Sequence, residues 1–289
     1  MTFLQAGHDV DPSQYERDLP EADQPAGHEL DMTVMGWTIR AGYSVIDRLG
    51  FQVRLPIRLT LITADFLGQD GSTLADDFDS IHHRDETIGG IGDVELRVMG
   101  GLLRPGELGD LVVDLGVGVA FPTGSIEENP FALGNQGKEH QHVFFGGGTF
   151  RPILSLSGMY PFESASLSFF AETTLSLYEG RNDYQPPTLV SAGIGVSTGF
   201  GLTDWRFMLQ QEVFHEEAAQ WGSTPAENSG RTDLIATIGA FYSPIEVLTV
   251  GLSVRVPYYT ISASDEPLRI PAVISLSLTA TLDTQEDSK

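Results

Sequence analysis

The stretch MGWTIRAGYSV, residues 35–45, carries an apolar side chain at every odd position and a small or polar one at every even position. Because successive side chains of a β-strand point to opposite faces, this period of two predicts a strand with one apolar face. The alternation resumes after a tight turn at Asp47 and runs from Phe51 to Leu61. Together the two stretches predict one long β-hairpin.

The same alternation recurs along the rest of the chain and predicts nine further strands. Their apolar positions fall within residues 94–98, 111–121, 154–156, 167–177, 190–196, 205–213, 234–242, 248–256 and 272–282. Most of these strands are longer than the roughly five to six residues usual in soluble sheets, which favours strands that cross a membrane. Bacterial single-chain barrels normally have an even number of strands, so a twelfth is expected at Thr2–Gly7.

The connections between these strands alternate in length. Short ones are predicted near residues 47, 105, 161–164, 201–204 and 243–246, and longer acidic ones near 64–87, 122–143, 179–187, 216–231 and 258–268. Short turns at one end and long loops at the other are typical of a transmembrane barrel. The predicted fold is therefore an all-β, antiparallel up-and-down transmembrane β-barrel of about 12 strands. Its expected parts are a first strand with an acidic outer loop (1–31), the barrel (32–282) and a polar tail (283–289).

The charge and the cysteine count exclude several kinds of partner and site. The chain carries 40 acidic and 16 basic residues, a formal net charge of -24. Nucleic acid is excluded as a partner because its binding depends on basic side chains. The chain has no Cys, which excludes disulfides and thiolate metal sites, and no cofactor is expected.

A transmembrane β-barrel of the predicted kind is expected in the bacterial outer membrane. It lacks any stretch of about 18 consecutive apolar residues, so no transmembrane helix is expected. Met1–Gly7 is too short and too polar to be a cleaved signal, so the chain is expected to be a mature or truncated form. Its surroundings would be membrane lipid and lipopolysaccharide.

The polar face of each strand is expected to line the lumen, because a charge that faces lipid near the midplane costs about 2 to 4 kcal/mol. Six positive and five negative residues fall on that face and nearly cancel, so the acidity belongs to the loops and tails. Whether these charges pair across a narrow lumen or contact a passing solute stays open. The predicted lumen residues are Arg40, Arg54, Arg58, Asp93, Glu95, Arg97, Asp114, Glu172, Arg206, Glu212 and Arg255.

Histidines in three long loops are candidate metal ligands. His140 and His142 lie two residues apart, so on an extended segment both would face the same way and could bind one ion. Solvated loop histidines are the alternative, and the acidic loops could also bind calcium or bridge lipopolysaccharide through divalent cations. The full candidate set, all expected at one end of the barrel, is His82, His83, His140, His142 and His215.

The residues do not predict an enzyme. No predicted strand carries a His beside a Ser in the manner of an outer-membrane phospholipase. The nearest resemblance to a protease pair is His215 with Glu216 at the start of a loop. Gly146-Gly147-Gly148 is not followed by the Lys-Ser/Thr of a phosphate-binding loop.

Four short motifs occur in a characteristic order. They are YSVIDRLG at 43–50 followed by Leu55-Pro56, GIGDV at 90–94, FPTG at 121–124 and GGGTF at 146–150. In order and spacing, over roughly residues 30–282, they resemble the outer-membrane transporter family associated with phenol degradation. The resemblance implies a barrel that admits small, often aromatic or hydrophobic, compounds.

Two functions are consistent with these features. The first is a passive channel for small solutes, with a charged lumen and acidic loops at its outer mouth. The alternative is a closed structural or binding barrel whose acidic, His-containing loops bind metal ions or a protein partner.

Overall fold

The structure, a computed structural model, describes residues 2–9, 26–74, 84–140, 143–200, 204–226, 229–262 and 270–282. The regular elements in these ranges are β-strands, apart from a short helix and a 3₁₀ turn at Arg181–Asp183. The elements are β1 (Thr2–Asp9), β2 (Gly27–Ile46), β3 (Leu49–Leu67), β4 (Glu86–Ile91), β5 (Val94–Leu103), β6 (Val112–Phe121), α1 (Pro130–Gly134), β7 (Arg151–Pro161), β8 (Ala165–Thr174), β9 (Tyr184–Gln185), β10 (Leu189–Thr198), β11 (Trp205–Glu216), β12 (Gln220–Trp221), β13 (Thr224–Pro225), β14 (Arg231–Ile245), β15 (Leu248–Ser262) and β16 (Val273–Ala280).

The long strands form a closed antiparallel sheet of twelve strands, in which β4 and β5 count as one. Its order is β1-β2-β3-β5-β6-β7-β8-β10-β11-β14-β15-β16, and β16 meets β1 at the Thr2–Val273 pair. β4 and β5 both pair with β3, so they form one strand that is interrupted at Gly92-Asp93. The predicted up-and-down barrel is confirmed, and β1 occupies the position expected for the twelfth strand.

Strand boundaries differ from the prediction where the alternation of polarity stops. β2 begins at Gly27 and pairs with β3 as far as Leu67, so the first hairpin includes acidic residues that were expected in loops. Backbone hydrogen bonds can extend the ladder beyond the lipid-facing part, where no apolar face is needed. In the opposite direction, β8 ends at Thr174, before Leu175 and Leu177, which the spacing of apolar residues assigned to it.

The outer face of the barrel is apolar, as the alternation predicts. Trp37 is 52% exposed, Ile194 62% and Leu276 79%. At the end of the barrel that carries the short turns, the rings of Trp205 and Tyr242 lie with their centroids 4.9 Å apart. An apolar surface with aromatic residues at its border is stabilised by lipid and not by water.

No helix in the described ranges is long and apolar enough to cross a membrane.

The long loops at the other end carry a small sheet of their own, in which β12 pairs with both β9 and β13. Phe144, Tyr184 and Trp221, one from each of three loops, form what is called here the aromatic cluster. The ring centroids of Tyr184 and Trp221 are 4.6 Å apart and those of Phe144 and Tyr184 are 5.0 Å apart. Tyr184 is only 6% exposed and Trp221 only 3%. The cluster therefore fastens the three loops to one another.

The buried Tyr184 predicts a pH limit for this loop packing. Burial raises the pKa of the Tyr184 phenol to about 12, above its ordinary value of 10.0. Because the folded-state pKa is raised, the stability that the neutral phenol contributes is complete below pH 10 and is lost as the pH rises through 12. The absorbance of phenolate in the near ultraviolet, followed as the pH is raised, counts the tyrosines that ionise. Tyr184→Phe should show one tyrosine fewer that ionises near pH 12 than the unchanged chain does. Loss of a tyrosine that ionises near pH 10 would contradict the burial.

Candidate functional site: the charged lumen and the inward loop

The connection between β6 and β7, residues 122–150, folds against the inner face of the barrel and is called the inward loop. It is described except for residues 141 and 142. Phe145, which is 7% exposed, packs over Gly90, where an added Cβ would lie 2.7 Å from the ring. The two arms of the loop also touch, because a Cβ on Gly124 would lie 2.6 Å from the Cα of Gly146. Glycine at these positions permits the close approach.

Asp93 anchors the inward loop to the wall. The residue lies at the interruption between β4 and β5 and is 5% exposed. Its Oδ1 accepts a hydrogen bond from the Gly124 N–H at 3.1 Å, and its Oδ2 accepts one from the Gly147 N–H at 2.8 Å. Oδ2 also forms an ion pair with Arg151 at 3.2 Å. Hydrogen bonds to a charged acceptor are stronger than neutral ones, so this one carboxylate holds both arms of the loop.

Arg97 forms an ionic bridge across the concave inner face. Its guanidinium pairs with Glu95 on its own strand at 2.6 Å. It also donates to both carboxylate oxygens of Glu172 on β8, at 3.0 Å for Oε1 and in a shorter contact to Oε2. The Arg97 side chain is 7% exposed, and Arg54 approaches Glu95 from β3 at 3.3 Å. The structure thus joins four predicted lumen residues that lie on three separate strands.

Two cavities adjoin at this bridge and share Arg54 and Glu172 in their walls. The first cavity, about 200 Å³, lies toward the long loops and includes Arg58, Asp93 and Phe145 in its lining. The second cavity, about 260 Å³, lies toward the short turns and includes Arg40 and Arg97. Together they bring five arginines, Arg40, Arg54, Arg58, Arg97 and Arg151, against three carboxylates, Asp93, Glu95 and Glu172. The sequence predicted nearly equal numbers of positive and negative residues on the inner face as a whole. Around the two cavities, in contrast, arginines outnumber carboxylates by five to three.

Four predicted lumen residues lie away from the two cavities. Arg255 pairs with the buried Glu212 at 2.9 Å. Asp114 pairs with Arg104 at 2.8 Å near the short turns. Arg206 is exposed near the same end and has no ion pair among the described residues. The structure therefore groups seven of the eleven predicted residues around the cavities.

Two inner-face residues were missed by the sequence reasoning. Arg151 begins β7, and the period of two extended back from Leu154 would have placed it on the inner face. Asp233, 1% exposed, pairs with Arg231 at 2.8 Å and accepts a hydrogen bond from Thr260 at 2.6 Å. Asp233 comes just before Leu234, the first apolar residue of the predicted strand. The strand predicted from the alternation therefore began one residue too late to include Asp233.

The histidines predicted as metal ligands are only partly described. His82, His83 and His142 lie outside the described residues. His140 is 7% exposed, and its Nδ1 lies 2.9 Å from the Lys138 carbonyl oxygen. His215 lies on β11, where its Nδ1 lies 2.8 Å from the Thr232 hydroxyl. No group of three or more potential ligands occurs within the described part of the chain, and a shared metal site stays a prediction.

Residues 195–199, Gly-Val-Ser-Thr-Gly, match the Gly-x-Ser-x-Gly pattern of serine hydrolases, which the sequence reasoning overlooked. That pattern is catalytic when its Ser lies at a sharp turn from a strand into a helix. Ser197 instead lies within β10, and its hydroxyl bonds with the Ser166 hydroxyl at 2.8 Å. The context of a nucleophile is missing, so the match is not evidence for hydrolysis.

Comparison with solved structures places the barrel among known folds. The chain is similar to the crystal structure of an outer membrane channel from Pseudomonas putida F1, with a TM-score of 0.54. The two are 11% identical, and the match covers 96% of this chain and 94% of that one. The shared fold is an antiparallel β-barrel of the outer-membrane type. At this identity the likeness concerns the fold alone.

An in-vitro folded outer membrane protein of Vibrio cholerae, OmpT in its trimer form, matches with a TM-score of 0.38 and 11% identity, covering 96% of this chain and 95% of that one. No family model matches the chain. No curated protein matches it either.

Proposed function

We propose that this chain is a passive channel of the bacterial outer membrane that admits small solutes. The observation that carries the proposal is the pair of adjoining cavities inside a barrel whose outer face is apolar. Small barrels usually fill their interior with side chains, whereas wider ones leave a passage, and charged residues line the space here. The long loops would face the outside and the short turns the periplasm.

The volumes of the two cavities suggest the size of solute that each could hold. Volumes of about 200 and 260 Å³ hold molecules of a few to a dozen heavy atoms. The small aromatic or hydrophobic compounds implied by the sequence resemblance fall within this range. Membrane lipid and lipopolysaccharide surround the barrel in this proposal, and diffusion through it requires no catalytic group.

The Arg97 bridge favours a second candidate, the closed barrel. The bridge spans the inner face between β5 and β8, and the aromatic cluster fastens three loops at the same end as the first cavity. A barrel closed in this way would serve as a binding or structural protein, with its His-containing loops open to metal ions or a protein partner.

Liposome swelling distinguishes the two candidates. Folded protein, recognised by different gel migration before and after boiling, is reconstituted and exposed to glycine, arabinose and raffinose. The channel predicts fast swelling with glycine, slower swelling with arabinose and the slowest swelling with raffinose, because diffusion through a narrow lumen slows as the solute becomes larger. The same amount of boiled protein is the control. Absence of swelling with all three solutes would reject the channel and leave the closed barrel.

A further inference from the structure

We propose that the second cavity binds the carboxylate of a small organic acid between Arg40, Arg54 and Arg97. The proposal deepens the proposed function by naming the chemical class of the solute, and it rests on that function for its role in transport. The binding site itself is testable without transport.

The second cavity carries an excess of positive charge. Arg40, Arg54 and Arg97 line it, against one carboxylate, Glu172. Glu95 bonds to Arg97 and Arg54 from the side of the first cavity, and even with it the guanidiniums outnumber the carboxylates by three to two. Guanidinium groups do not deprotonate in proteins, so this charge is neutralised only by an anion.

The existing ion pairs do not use the donors of all three arginines. Arg97 is engaged by both Glu95 and Glu172. Arg54 has one ion pair, the 3.3 Å contact to Glu95, and its Nε is buried without a hydrogen-bond partner among the described residues. Arg40 has no ion pair among them. Arg40 therefore retains the parallel N–H donors that bind a carboxylate in a bidentate manner, and the charge of Arg54 adds to the attraction for an anion.

The remaining walls suit an organic acid better than an inorganic anion. Gln52, Ser155 and Ser157 add amide and hydroxyl groups, whereas Met99 and Phe170 add an apolar side. A bare ion would contact only the polar part of this lining. A carboxylate attached to a single ring would contact both parts and fits a cavity of about 260 Å³. The geometry thus assigns the site to acids of the size of benzoate.

The acidity of the whole chain does not oppose this assignment. Most of its carboxylates lie in the loops, and charges in solution are screened over about 8 Å at physiological ionic strength. The arginines of the second cavity line its wall, so a bound carboxylate would lie nearer to them than to the carboxylates of the loops. A net charge of -24 is therefore compatible with an anion site inside the barrel.

The test is calorimetric titration of the folded protein in detergent with benzoate, with benzyl alcohol as the neutral molecule of the same shape and acetate as the acid without a ring. Benzoate is expected to bind more tightly than either. Arg40→Gln should weaken benzoate binding about tenfold, the loss expected for a charged hydrogen bond. Arg40 has no ion pair to lose among the described residues, so this change leaves no carboxylate there unpaired. Arg206→Gln is the matched control and should bind as the unchanged chain does.

Each other outcome has a definite meaning. Equal affinity for benzoate and benzyl alcohol, or equal losses in Arg40→Gln and Arg206→Gln, overturns the carboxylate site. Acetate that binds as tightly as benzoate overturns the apolar half of the assignment. Should Arg40→Gln not fold, Arg40→Lys, which keeps the charge and loses the planar donor pair, must still weaken binding. Benzoate binding without liposome swelling supports the site and rejects the channel, whereas swelling without benzoate preference does the reverse.

Discussion

The Asp93→Ala variant should conduct ions severalfold better than the unchanged chain, because the inward loop loses its anchor. The change removes the acceptor of the Gly124 and Gly147 N–H groups and the ion-pair partner of Arg151. Hydrogen bonds to a charged group contribute about 1.5 to 3 kcal/mol each, which is large against the stability of a single loop. The loop should then leave the inner face, and with it Phe145 should leave the first cavity.

Single-channel recording in planar bilayers measures this effect, and Glu107→Ala is the control. Glu107 also accepts a hydrogen bond from an arginine side chain, Arg48, and one from a backbone N–H, that of Arg104 at 2.9 Å. It lies in the short turn between β5 and β6, remote from the inward loop, so its loss should leave the conductance unchanged. Equal conductance of the folded Asp93→Ala variant and the unchanged chain would show that the loop does not narrow the passage.

Replacing Trp221 with Ala should expose the long loops to protease while the barrel stays folded. Truncation of a buried Trp costs about 3 to 5 kcal/mol, and here the cost falls on the aromatic cluster and not on the strand ladder. Opening of the loops should become at least about a hundredfold more frequent. The exposed Arg181 lies three residues before Tyr184 and supplies a trypsin site within the packed loops.

The rate of trypsin cleavage after Arg181 measures the opening. Tyr184→Phe is the conservative control, because it keeps the ring contacts with Phe144 and Trp221 and should be cleaved at the rate of the unchanged chain near neutral pH. Different gel migration before and after boiling should persist in both variants, since the barrel ladder is untouched. Slow cleavage of Trp221→Ala at Arg181 would mean that the small sheet, and not the cluster, holds the loops.

The strands of the barrel wall could be predicted because the alternation that marks them involves only residues that are neighbours in the sequence. Whether Trp37 or Ile194 faces lipid depends only on the parity of its position in a strand, and both are exposed on the outer face. Parity also placed Arg97 and Glu172 on the inner face. It was not carried to the strand ends: Arg151 lies on the inner face before the first apolar residue counted in β7, and β2 begins at Gly27, in a stretch that does not alternate.

The arrangement inside the barrel could not be predicted, because it depends on contacts between residues distant in the chain. Arg97 and Glu172 are 75 residues apart, and Asp93 and Gly147 are 54 apart. The alternation within a strand does not indicate which polar residues of different strands come into contact inside the closed barrel. The small sheet of the loops was missed for another reason, since strands of two residues such as β9 and β12 are too short to show a period.

Single-channel conductance of the unchanged chain tests the central claim most directly. Folded protein in a planar bilayer should give small, stepwise currents, because the proposed channel passes through the two cavities beside the Arg97 bridge. Boiled protein should give none. A bilayer that stays silent with protein shown to be inserted and folded would contradict the channel and identify the barrel as closed.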